Sequence, residues 1–409
     1  MPGPGYSFLG EEERVNVEKV LRSWDLTRYA YDKPEWTSYV HQFELDTQKT
    51  FGAAHSIAVN SGTSALLTGL AALGVGPGDE VIVPGYTFVA SIGSIIYSGA
   101  TPVLAEVDDS LTLDPVDVEA KITPNTRAIM AVHMLGAPCD LAALRDVADR
   151  HGLALIEDVA QACGASYRGR RLGTHGEVGA FSLNPFKVIT SGEGGFVLTD
   201  DAHLYQRGYS FQDQGWFPLR TDTGEGDVLF GLNLRMPELS GAVACAQLAK
   251  LDAVLNAARR VKAELAGAIP LPDGVHRRTL HDAKGECGTL LVYVFDRAAD
   301  AAAVAAALGT KTMRESGRHY YANMPQLAAL AAGETKVSPF RRAGTEQKHD
   351  YRPGSLPRTD DVLSRAVGIS VGVSDRYLGA GFGVTVQSDQ PEIARVAAQA
   401  SATFTAILG

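Results

Sequence analysis

An acidic residue, a lysine and a glycine-rich turn follow one another along this chain in an order that suits cofactor chemistry. The apolar run 153–156 leads to Asp158, and Ser182 precedes Lys187 by five positions, before the turn at 192–195. Pyridoxal phosphate (PLP) requires a lysine that bonds to its aldehyde, a carboxylate for its ring nitrogen, and hydroxyl or backbone donors for its phosphate. The sequence therefore predicts PLP chemistry in this part of the chain.

Each of these features has a simpler explanation when it is taken alone. The run 153–156 is typical of a buried parallel strand, whose carboxyl end carries ligand groups in open α/β sheets, but an Asp there also caps helices. A single lysine is more often a solvated charge; Lys187, however, follows a predicted strand at 178–183 and an Asn-Pro turn, which indicates a loop. The glycines at 192–195 alone predict only a turn before a strand at 196–199.

A second anion-binding candidate is the segment VNSGTSAL at 59–66. A strand end there runs through Ser-Gly-Thr-Ser into an apolar helix predicted at 65–73. Free backbone N–H groups at the N-terminus of such a helix bind phosphate. A plain capping sequence with no ligand predicts the same helix, so both interpretations stay open.

The motifs EDVAQACGA at 157–165, FSLNPFK at 181–187 and SGEGG at 191–195 together resemble the DegT/StrS family of sugar aminotransferases. Further family-like segments occur in the expected order, namely VNSGTSAL, VIVPGYTFVAS at 81–91, DSLTLDP at 109–115, VHMLGAPCD at 132–140 and GLNLRMPELSGAVACAQL at 231–248. The match is strong over residues 5–260 and weak beyond them. The resemblance implies the aspartate aminotransferase superfamily, with PLP fold type I.

The resemblance also implies roles for single residues. Lys187 and Asp158 are the implied catalytic residues, the first bonding to the cofactor and the second meeting its ring nitrogen. Phe88 would stack on the ring, although a core Phe is the commoner outcome. Gln161 would lie beside the phenolic oxygen, on the same helical face as Asp158. The implied PLP ligands are Gly62, Thr63, Ser64, Phe88, Asp158, Gln161, Ser182, Lys187 and Asn233.

Asn233 belongs to a segment that, in the family, crosses a dimer interface and contacts the partner's phosphate. The resemblance therefore implies a homodimer with shared active sites. The loop 212–232, rich in Gly, Asp and Phe, is expected to cross the interface. Arg235 beside it either meets a substrate carboxylate or caps the next helix.

The substrate side carries the weaker predictions. Arg318, His319 and Tyr320 stand where family members often place substrate-facing groups, and a surface turn is the alternative. Cys163 stands where the family usually has His, and residues 183–186 replace the more common aromatic, His and Thr. These departures concern the identity of the substrate.

Lys187 is intact, whereas a related branch of dehydratases has His in its place. The resemblance thus implies transamination, with pyridoxamine phosphate (PMP) as the amino form of the cofactor. The donor would be glutamate or glutamine, and the acceptor a keto sugar, often nucleotide-linked, or a keto cyclitol, in natural-product or glycan biosynthesis. Another PLP reaction on the same scaffold, such as dehydration or transamination of a non-sugar ring ketone, and a non-catalytic PLP-binding regulatory protein are the alternatives.

The composition indicates which classes of binding partner are not expected. The 409 residues carry a net charge of −10, which gives no reason to expect nucleic acid or an anionic membrane surface. No apolar run approaches the ~20 residues of a membrane span, and residues 1–10 lack the features of a signal peptide. Four cysteines without a C-x-x-C pair predict reduced thiols, no metal site and a cytoplasmic location.

Alternating strand and helix patterns predict an α/β fold with two domains. The N-terminal helix, Glu11–Ser23, and a large PLP-binding α/β domain are expected to span residues 1–250, and a small α+β domain residues 251–409. The large domain is expected to hold a mainly parallel, seven-stranded sheet covered by helices on both faces. Its strands are predicted near positions 56, 80, 101, 128, 153, 179 and 196.

The expected connection to the small domain is a long helix at 248–265. Beyond it, the predicted elements are a strand at 288–295, a helix at 299–308 and strands at 367–373 and 381–386.

Overall fold

A computed structural model describes residues 3–29, 38–216, 229–333, 349–373 and 380–409 of the chain. Their strands form one large sheet, one smaller sheet and a two-stranded hairpin. In chain order the strands are β1 (His55–Val59), β2 (Glu80–Pro84), β3 (Thr101–Ala105), β4 (Thr126–Val132), β5 (Ala154–Asp158), β6 (Ser166–Tyr167), β7 (Arg170–Arg171), β8 (Val178–Ser182), β9 (Gly195–Thr199), β10 (Val275–Arg277), β11 (Leu290–Phe295), β12 (Ala366–Val371) and β13 (Gly383–Val384).

The large sheet has seven strands in the order β1-β9-β8-β5-β4-β2-β3. Strands β3, β2, β4, β5 and β8 pair in parallel, and β9 runs antiparallel to both of its neighbours. The prediction of a mainly parallel, seven-stranded sheet is confirmed. Because parallel strands end at the same edge, the segments that follow β2, β4, β5 and β8 lie close together.

Alternate residues of each strand pack into cores on opposite faces of this sheet. In β2, Val81 and Val83 belong to one core and Ile82 belongs to the other, and all three are fully buried. Side chains alternate between the two faces of a strand. A strand buried on both faces must therefore be apolar along its length, which is why these strands stand out in the sequence.

Helices surround the sheets, and the predicted opening helix is confirmed. In chain order the α-helices are α1 (Glu11–Ser23), α2 (Tyr39–Phe51), α3 (Gly62–Ala72), α4 (Val89–Tyr97), α5 (Pro115–Ala120), α6 (Leu141–His151), α7 (Ala202–Gln212), α8 (Glu238–Ala249), α9 (Leu251–Ala268), α10 (Ala298–Ala307), α11 (Pro325–Ala331), α12 (Pro357–Arg365) and α13 (Gln390–Leu408). Short 3-10 segments lie at Pro4–Phe8, Met134–Gly136, Met313–Glu315 and Tyr321–Asn323.

Local sequence sets the ends of several helices, as α6 illustrates. The Asp140 carboxylate accepts the Ala143 N–H at 3.2 Å, which satisfies a donor that has no partner within the helix. At the other end Gly152 adopts φ 65°, the left-handed conformation that glycine reaches without steric cost. A polar cap and a glycine stop therefore fix α6 between β4 and β5.

The prediction of one continuous helix over 248–265 is wrong at its start. Helix α8 ends at Ala249 and α9 begins at Leu251, with Lys250 as the boundary residue. The Lys250 ammonium donates to the Glu13 carboxylate at 2.8 Å and to the Phe8 carbonyl at 3.0 Å. Contacts with the N-terminal segment, rather than a local Gly or Pro, accompany this break, so the sequence pattern does not reveal it.

The second sheet has the order β10-β11-β12-β13. Its first three strands pair antiparallel, and β12 and β13 pair in parallel. Side chains from α9, α10 and α13, such as Val261, Val304 and Phe404, form a third core with Tyr293 of β11. The predicted elements at 288–295 and 299–308 are confirmed. The strand expected at 381–386 is shortened to Gly383–Val384, and part of the segment before it lies outside the described residues.

In the part of the chain that the structure describes, no helix has both the length and the apolar character that a membrane crossing requires.

A buried carboxylate, Glu157, organises the chain next to the end of β5. It is fully buried and accepts N–H bonds from Gly173 at 2.8 Å and Gly176 at 2.9 Å, and it lies 3.1 Å from His133 Nε2. The Cys139 N–H donates to His133 Nδ1, so the ring proton resides on Nε2 and faces Glu157. Burial acts to raise the pKa of Glu157, but the His133 and backbone donors hold it below its ordinary value.

We expect Glu157→Gln to lower the free energy of unfolding at pH 7 by about 3 kcal/mol, because an amide cannot accept all of these donors. The folded carboxylate has a depressed pKa, so its contribution is present above about pH 4.5 and is lost as the pH falls through the folded pKa. Denaturant unfolding of both proteins at a series of pH values from 7 downward measures this loss.

The matched control is Asp146→Asn, which removes an exposed partner of Arg150 and should change stability by less than about 1 kcal/mol. Equal destabilisation by Glu157→Gln and Asp146→Asn would contradict the role given to the buried carboxylate.

Candidate active site

Asp158 is the last residue of β5, and two donors hold its carboxylate. The Ser91 hydroxyl donates to Oδ2 at 2.7 Å, and the Ala160 N–H donates to Oδ1 at 3.1 Å. Because Ser91 has a single proton, the 2.7 Å contact between Thr87 and Ser91 makes Thr87 the donor of that bond. Asp158 is 4% exposed, so this relay sets the direction of its carboxylate.

Lys187 lies in the irregular segment between β8 and β9, which confirms the loop predicted for it. Its N–H donates to the Asn184 carbonyl at 3.0 Å and closes a turn. The Lys187 ammonium is 5.9 Å from the centre of the Phe88 ring. The side chain is half-buried, so it is neither a core residue nor a free surface charge.

The N-terminal segment packs against the loop that carries Lys187. The Gly5 N–H donates to the Lys187 carbonyl at 3.4 Å. A Cβ placed on Gly3 would lie 2.5 Å from the Phe186 carbonyl carbon, and one placed on Gly5 would lie 2.7 Å from Ile189 Cα. Only glycine permits this approach of two backbones, so the segment at 3–5 helps to shape the lysine loop.

The start of α3 touches the end of β8 and forms a corner lined by donors. A Cβ on Gly62 would lie 2.5 Å from Ser182 Cβ and 2.8 Å from Ser182 Oγ. The first N–H groups of a helix have no partner within the helix. At this corner they stand beside the Ser182 hydroxyl, with Thr63 exposed next to them. A phosphate is the group that such a corner suits.

Ser64 is differently engaged from its neighbours. Its hydroxyl donates to Asn60 Oδ1 at 2.6 Å and lies 2.9 Å from Ser61 Oγ. Its N–H donates to Ser61 Oγ at 3.0 Å, which caps α3. Both interpretations of VNSGTSAL therefore have support: the segment is a helix cap, and the same helix leaves donors at Gly62 and Thr63.

Phe88 immediately precedes α4 and is half-buried. Its ring centroid lies 5.2 Å from that of His319, with the two planes at 47°. The Val89 N–H donates to the Arg318 carbonyl at 2.9 Å, which fixes this pair of segments side by side. One face of the Phe88 ring thus belongs to the neighbourhood of Lys187.

The three substrate candidates at 318–320 have different environments. His319 is buried and lines a pocket, whereas Arg318 is exposed. Tyr320 is 2% exposed, and its hydroxyl donates to Asp360 at 2.6 Å. Burial and Asp360 together raise the pKa of Tyr320. His319 is therefore the member of this set that the structure brings beside Lys187.

Gln161 follows Asp158 through a turn, and the helical spacing expected for the two residues is wrong. The Ala162 N–H donates to the Val159 carbonyl at 2.9 Å, and the chain continues into β6 without a helix. The proposed capping role of Asp158 fails for the same reason. Gln161 reaches the site because its Oε1 accepts the Leu135 N–H at 2.9 Å, which turns its amide nitrogen the other way.

A pocket is lined by three of the predicted site residues, Gln161, Lys187 and His319, and takes part of its wall from the smaller sheet. Asp158, Phe88 and Ser182 are not among its lining residues. Leu290 begins β11, and Thr289 precedes it directly. The lining residues are Leu135, Gln161, Phe186, Lys187, Val188, Thr289, Leu290, His319 and Val373.

Asn233 and Arg235 lie in an extended segment beside β1. Asn233 forms an antiparallel bridge with Asp213, and Arg235 forms one with Val59. The Arg235 guanidinium pairs with Asp213 and donates to Gln214 at 3.1 Å. The residue that precedes α8 is Pro237, without a side-chain cap. Arg235 therefore does not cap the next helix, and neither residue is among those that line the pocket of its own chain.

Cys163, which departs from the family pattern, is fully buried. The Cys287 thiol lies 3.7 Å from the Cys163 carbonyl, so the two residues pack together behind the turn that carries Gln161. Burial raises the pKa of Cys163 and raises that of Cys287 to about 12. Among the described residues, no group of three or more His, Cys, Asp or Glu side chains is arranged to hold a metal ion.

Sequence inspection missed several residues of the site. Ser91 stands within the quoted motif VIVPGYTFVAS, but nothing local indicates its contact with Asp158. Leu135 has φ 58°, a left-handed backbone conformation that the sequence does not predict for a leucine. Thr289 and Val373 come from a part of the chain where the family resemblance is weak.

Residues 9–367 match the DegT/DnrJ/EryC1/StrS aminotransferase family, and this chain belongs to that family. It is 44% identical to the L-glutamine:2-deoxy-scyllo-inosose aminotransferase of Streptoalloteichus tenebrarius, over 63% of this chain and 62% of that protein. It is 43% identical to the GDP-perosamine synthase of Caulobacter vibrioides, over 55% of this chain and 62% of that protein.

The matched segments thus span less than two thirds of the length of these two relatives. Among solved structures, DesV of S. venezuelae superposes with a TM-score of 0.74 at 31% identity, covering 98% of both chains. The chain therefore shares its fold with DesV over nearly the full length of both proteins.

We expect Gly62→Ala to weaken PLP binding by about tenfold, because the added Cβ occupies the corner beside Ser182 and overpacking costs about 1–3 kcal/mol. Titration of cofactor-free protein with PLP measures the affinity, and denaturant unfolding separates this effect from general destabilisation.

Gly267→Ala is the matched control, since a Cβ there meets nothing within 4 Å on α9. This change should leave PLP affinity unaltered and slightly stabilise the helix. Unchanged PLP affinity in Gly62→Ala would remove the start of α3 from the cofactor site.

Proposed function

We propose that this chain is a PLP-dependent aminotransferase that transfers an amino group from glutamate or glutamine to a keto sugar or a keto cyclitol. The observation that carries the proposal is the convergence of three features at one edge of the large sheet. These are the anchored carboxylate of Asp158, the loop amine of Lys187, and the corner between Gly62 and Ser182. Family membership supports the same reaction class.

The residues of the site fit PLP. The corner that a Cβ on Gly62 would fill has backbone donors and the Ser182 hydroxyl for a phosphate. Asp158 would accept a hydrogen bond from a protonated ring nitrogen. Lys187 would bond to the aldehyde carbon, and Phe88 would offer a ring face for stacking.

When bound, PLP supplies an electron-accepting ring conjugated to the carbon that exchanges amino groups. Asp158 would keep the ring nitrogen protonated, and Ser91 would keep the carboxylate pointed at that nitrogen. Lys187, once the amino donor displaces it, would take a proton from the α-carbon of the donor and deliver it to C4′ of the cofactor. The same residues acting in reverse order would then deliver the amino group to the keto acceptor.

The substrate class rests on the relatives and on the pocket. One relative is named for L-glutamine as donor and 2-deoxy-scyllo-inosose as acceptor, and the other for GDP-perosamine. For this chain we infer a polyhydroxylated ring ketone, used in natural-product or glycan biosynthesis. Besides Gln161 and Lys187, the pocket side chains Thr289 and His319 can form hydrogen bonds with ring hydroxyls.

A homodimer with shared sites is part of the proposal. Phe230 is fully exposed and Leu232 is 53% exposed, directly before Asn233. A second copy of the chain that covers these apolar side chains would bring Asn233 to the phosphate of its partner. We also propose the domain division 1–250 and 251–409, and a cytoplasmic location, which the four unpaired cysteines favour.

Adding glutamine, and then glutamate, to the PLP-loaded protein should discharge its visible absorption band, and a keto cyclitol or keto sugar should restore it. Lys187→Ala should lower turnover by about 10²–10⁴-fold, because no amine remains to move the proton. The exposed Lys49→Ala serves as control and should keep full activity. Retained turnover in Lys187→Ala would contradict the proposal, and a dehydrated product would favour another PLP reaction.

Subunit complementation tests the shared site. Lys187→Ala and Asn233→Ala proteins should each be inactive alone. Random mixing after dissociation should recover about a quarter of wild-type activity, because half of the dimers then hold one intact site. Asn233→Ala that retains both its PLP affinity and its activity would exclude the cross-subunit contact.

A further inference from the structure

A tight turn at Met134–Gly136 separates β4 from α6 and forms one wall of the pocket. Leu135 at its centre has φ 58°, a left-handed conformation that is unfavourable for a residue with a branched side chain. Gly136 follows with φ 77°. Two successive residues with positive φ hold such a shape only when contacts from elsewhere fix it.

The fixing contacts come from the segment 278–287, between β10 and β11. The Arg278 guanidinium donates to the Met134 carbonyl at 3.1 Å and to the Leu135 carbonyl at 3.0 Å. The Cys287 N–H donates to the Gly136 carbonyl at 2.8 Å. Three consecutive carbonyl groups of the turn therefore have their donors in one distant segment, which we call the 278–287 clamp.

Arg278 is held firmly enough to serve as the centre of this clamp. It is 5% exposed, and its guanidinium lies 4.0 Å from the Glu286 carboxylate, which also pairs with Lys262 of α9. Arg259 of the same helix donates to the Glu286 carbonyl at 2.7 Å. A planar guanidinium presents its N–H groups to two neighbouring carbonyls in a fixed geometry, whereas a lysine ammonium on its flexible stem would hold them less rigidly.

The turn contacts one side chain of the pocket, Gln161, through a hydrogen bond. With its carbonyl taken by Arg278, Leu135 directs its N–H at Gln161 Oε1, at 2.9 Å. An N–H needs an acceptor, so the amide oxygen of Gln161 faces the turn and its NH2 group faces the opposite way. Leu135, Gln161 and Lys187 all line the same pocket.

We propose that Arg278 is a positioning residue that acts through Leu135 to hold the Gln161 amide as a hydrogen-bond donor toward the cofactor. This inference rests on the proposed function, because the phenolic oxygen of PLP is the acceptor that Gln161 would meet. A donor at that oxygen stabilises its negative charge. The pH at which the bound cofactor loses its proton therefore reports on the direction of the Gln161 amide.

The close approach of Gly136 to the same segment offers a way to disturb the turn without touching Arg278. A Cβ on Gly136 would lie 2.8 Å from Thr289 Oγ1 and 3.0 Å from Cys287 Cβ, in a backbone conformation that L side chains rarely adopt. Gly136→Ala should displace the turn from the 278–287 clamp and break the hydrogen bond between Leu135 and Gln161. It therefore has the same expected effect as the loss of Arg278 but leaves Arg278 unchanged.

The test compares Arg278→Met, Arg278→Lys and Gly136→Ala with the control Arg277→Met. Arg277 is the exposed neighbour, and its guanidinium bonds to the Ala266 carbonyl. PLP is added to cofactor-free protein to obtain its dissociation constant, and the visible absorption band is then titrated with pH. We expect PLP affinity to fall about tenfold in Arg278→Met and Gly136→Ala, with the pH midpoint of the band moved upward. Arg278→Lys should show a smaller shift, and Arg277→Met none.

A double-mutant cycle with Gln161→Leu identifies the route. If Arg278 acts through Gln161, the double variant Arg278→Met/Gln161→Leu should have the same pH midpoint as Gln161→Leu alone. Additive shifts, or a midpoint that stays at the wild-type value in both Arg278→Met and Gly136→Ala, would overturn the inference. Wild-type protein that forms no absorption band with PLP would instead overturn the proposed function, and the inference with it.

Discussion

Parallel pairing of β2, β4, β5 and β8 is the constraint on which the rest of the molecule depends. It requires each strand to return by a crossover and brings the carboxyl ends of four strands to one edge. The chain leaving each strand at this edge is irregular, so its backbone N–H groups need acceptors. Inside the sheet, Glu157 accepts N–H groups of the segment that leads into β8, and it lies directly before Asp158.

The hydrophobic pattern predicted the framework well, because burial on both faces makes each central strand apolar throughout. All seven strands of the large sheet lie where they were expected, and Lys187 lies on a loop. Long-range contacts were not predictable in this way. The bond between Ser91 and Asp158 joins α4 to the end of β5, and the break at Lys250 coincides with a contact to a carboxylate near residue 13.

Spacing misled the prediction at Gln161. Gln161 lies three residues after Asp158, a spacing that predicted a shared helical face. The chain turns there without forming a helix. Gln161 still reaches the site, because the backbone N–H of Leu135, a residue with positive φ, donates to its side-chain oxygen. The same place beside the pocket can therefore be reached through a different local geometry, which residue spacing alone does not distinguish. The substrate side was harder still, since Thr289 and Val373 belong to a part of the chain that resembles the family only weakly.

Gly3 and Gly5 allow the segment 3–5 to pack against the loop that carries Lys187, although the two segments lie far apart in the sequence. Because residues 3 and 5 lie against the backbone at 186–189, a side chain added at either position would displace the loop that carries Lys187. Sequence variation at residues 3–5 would therefore act on the candidate active site, although these residues lie outside every motif by which that site was recognised.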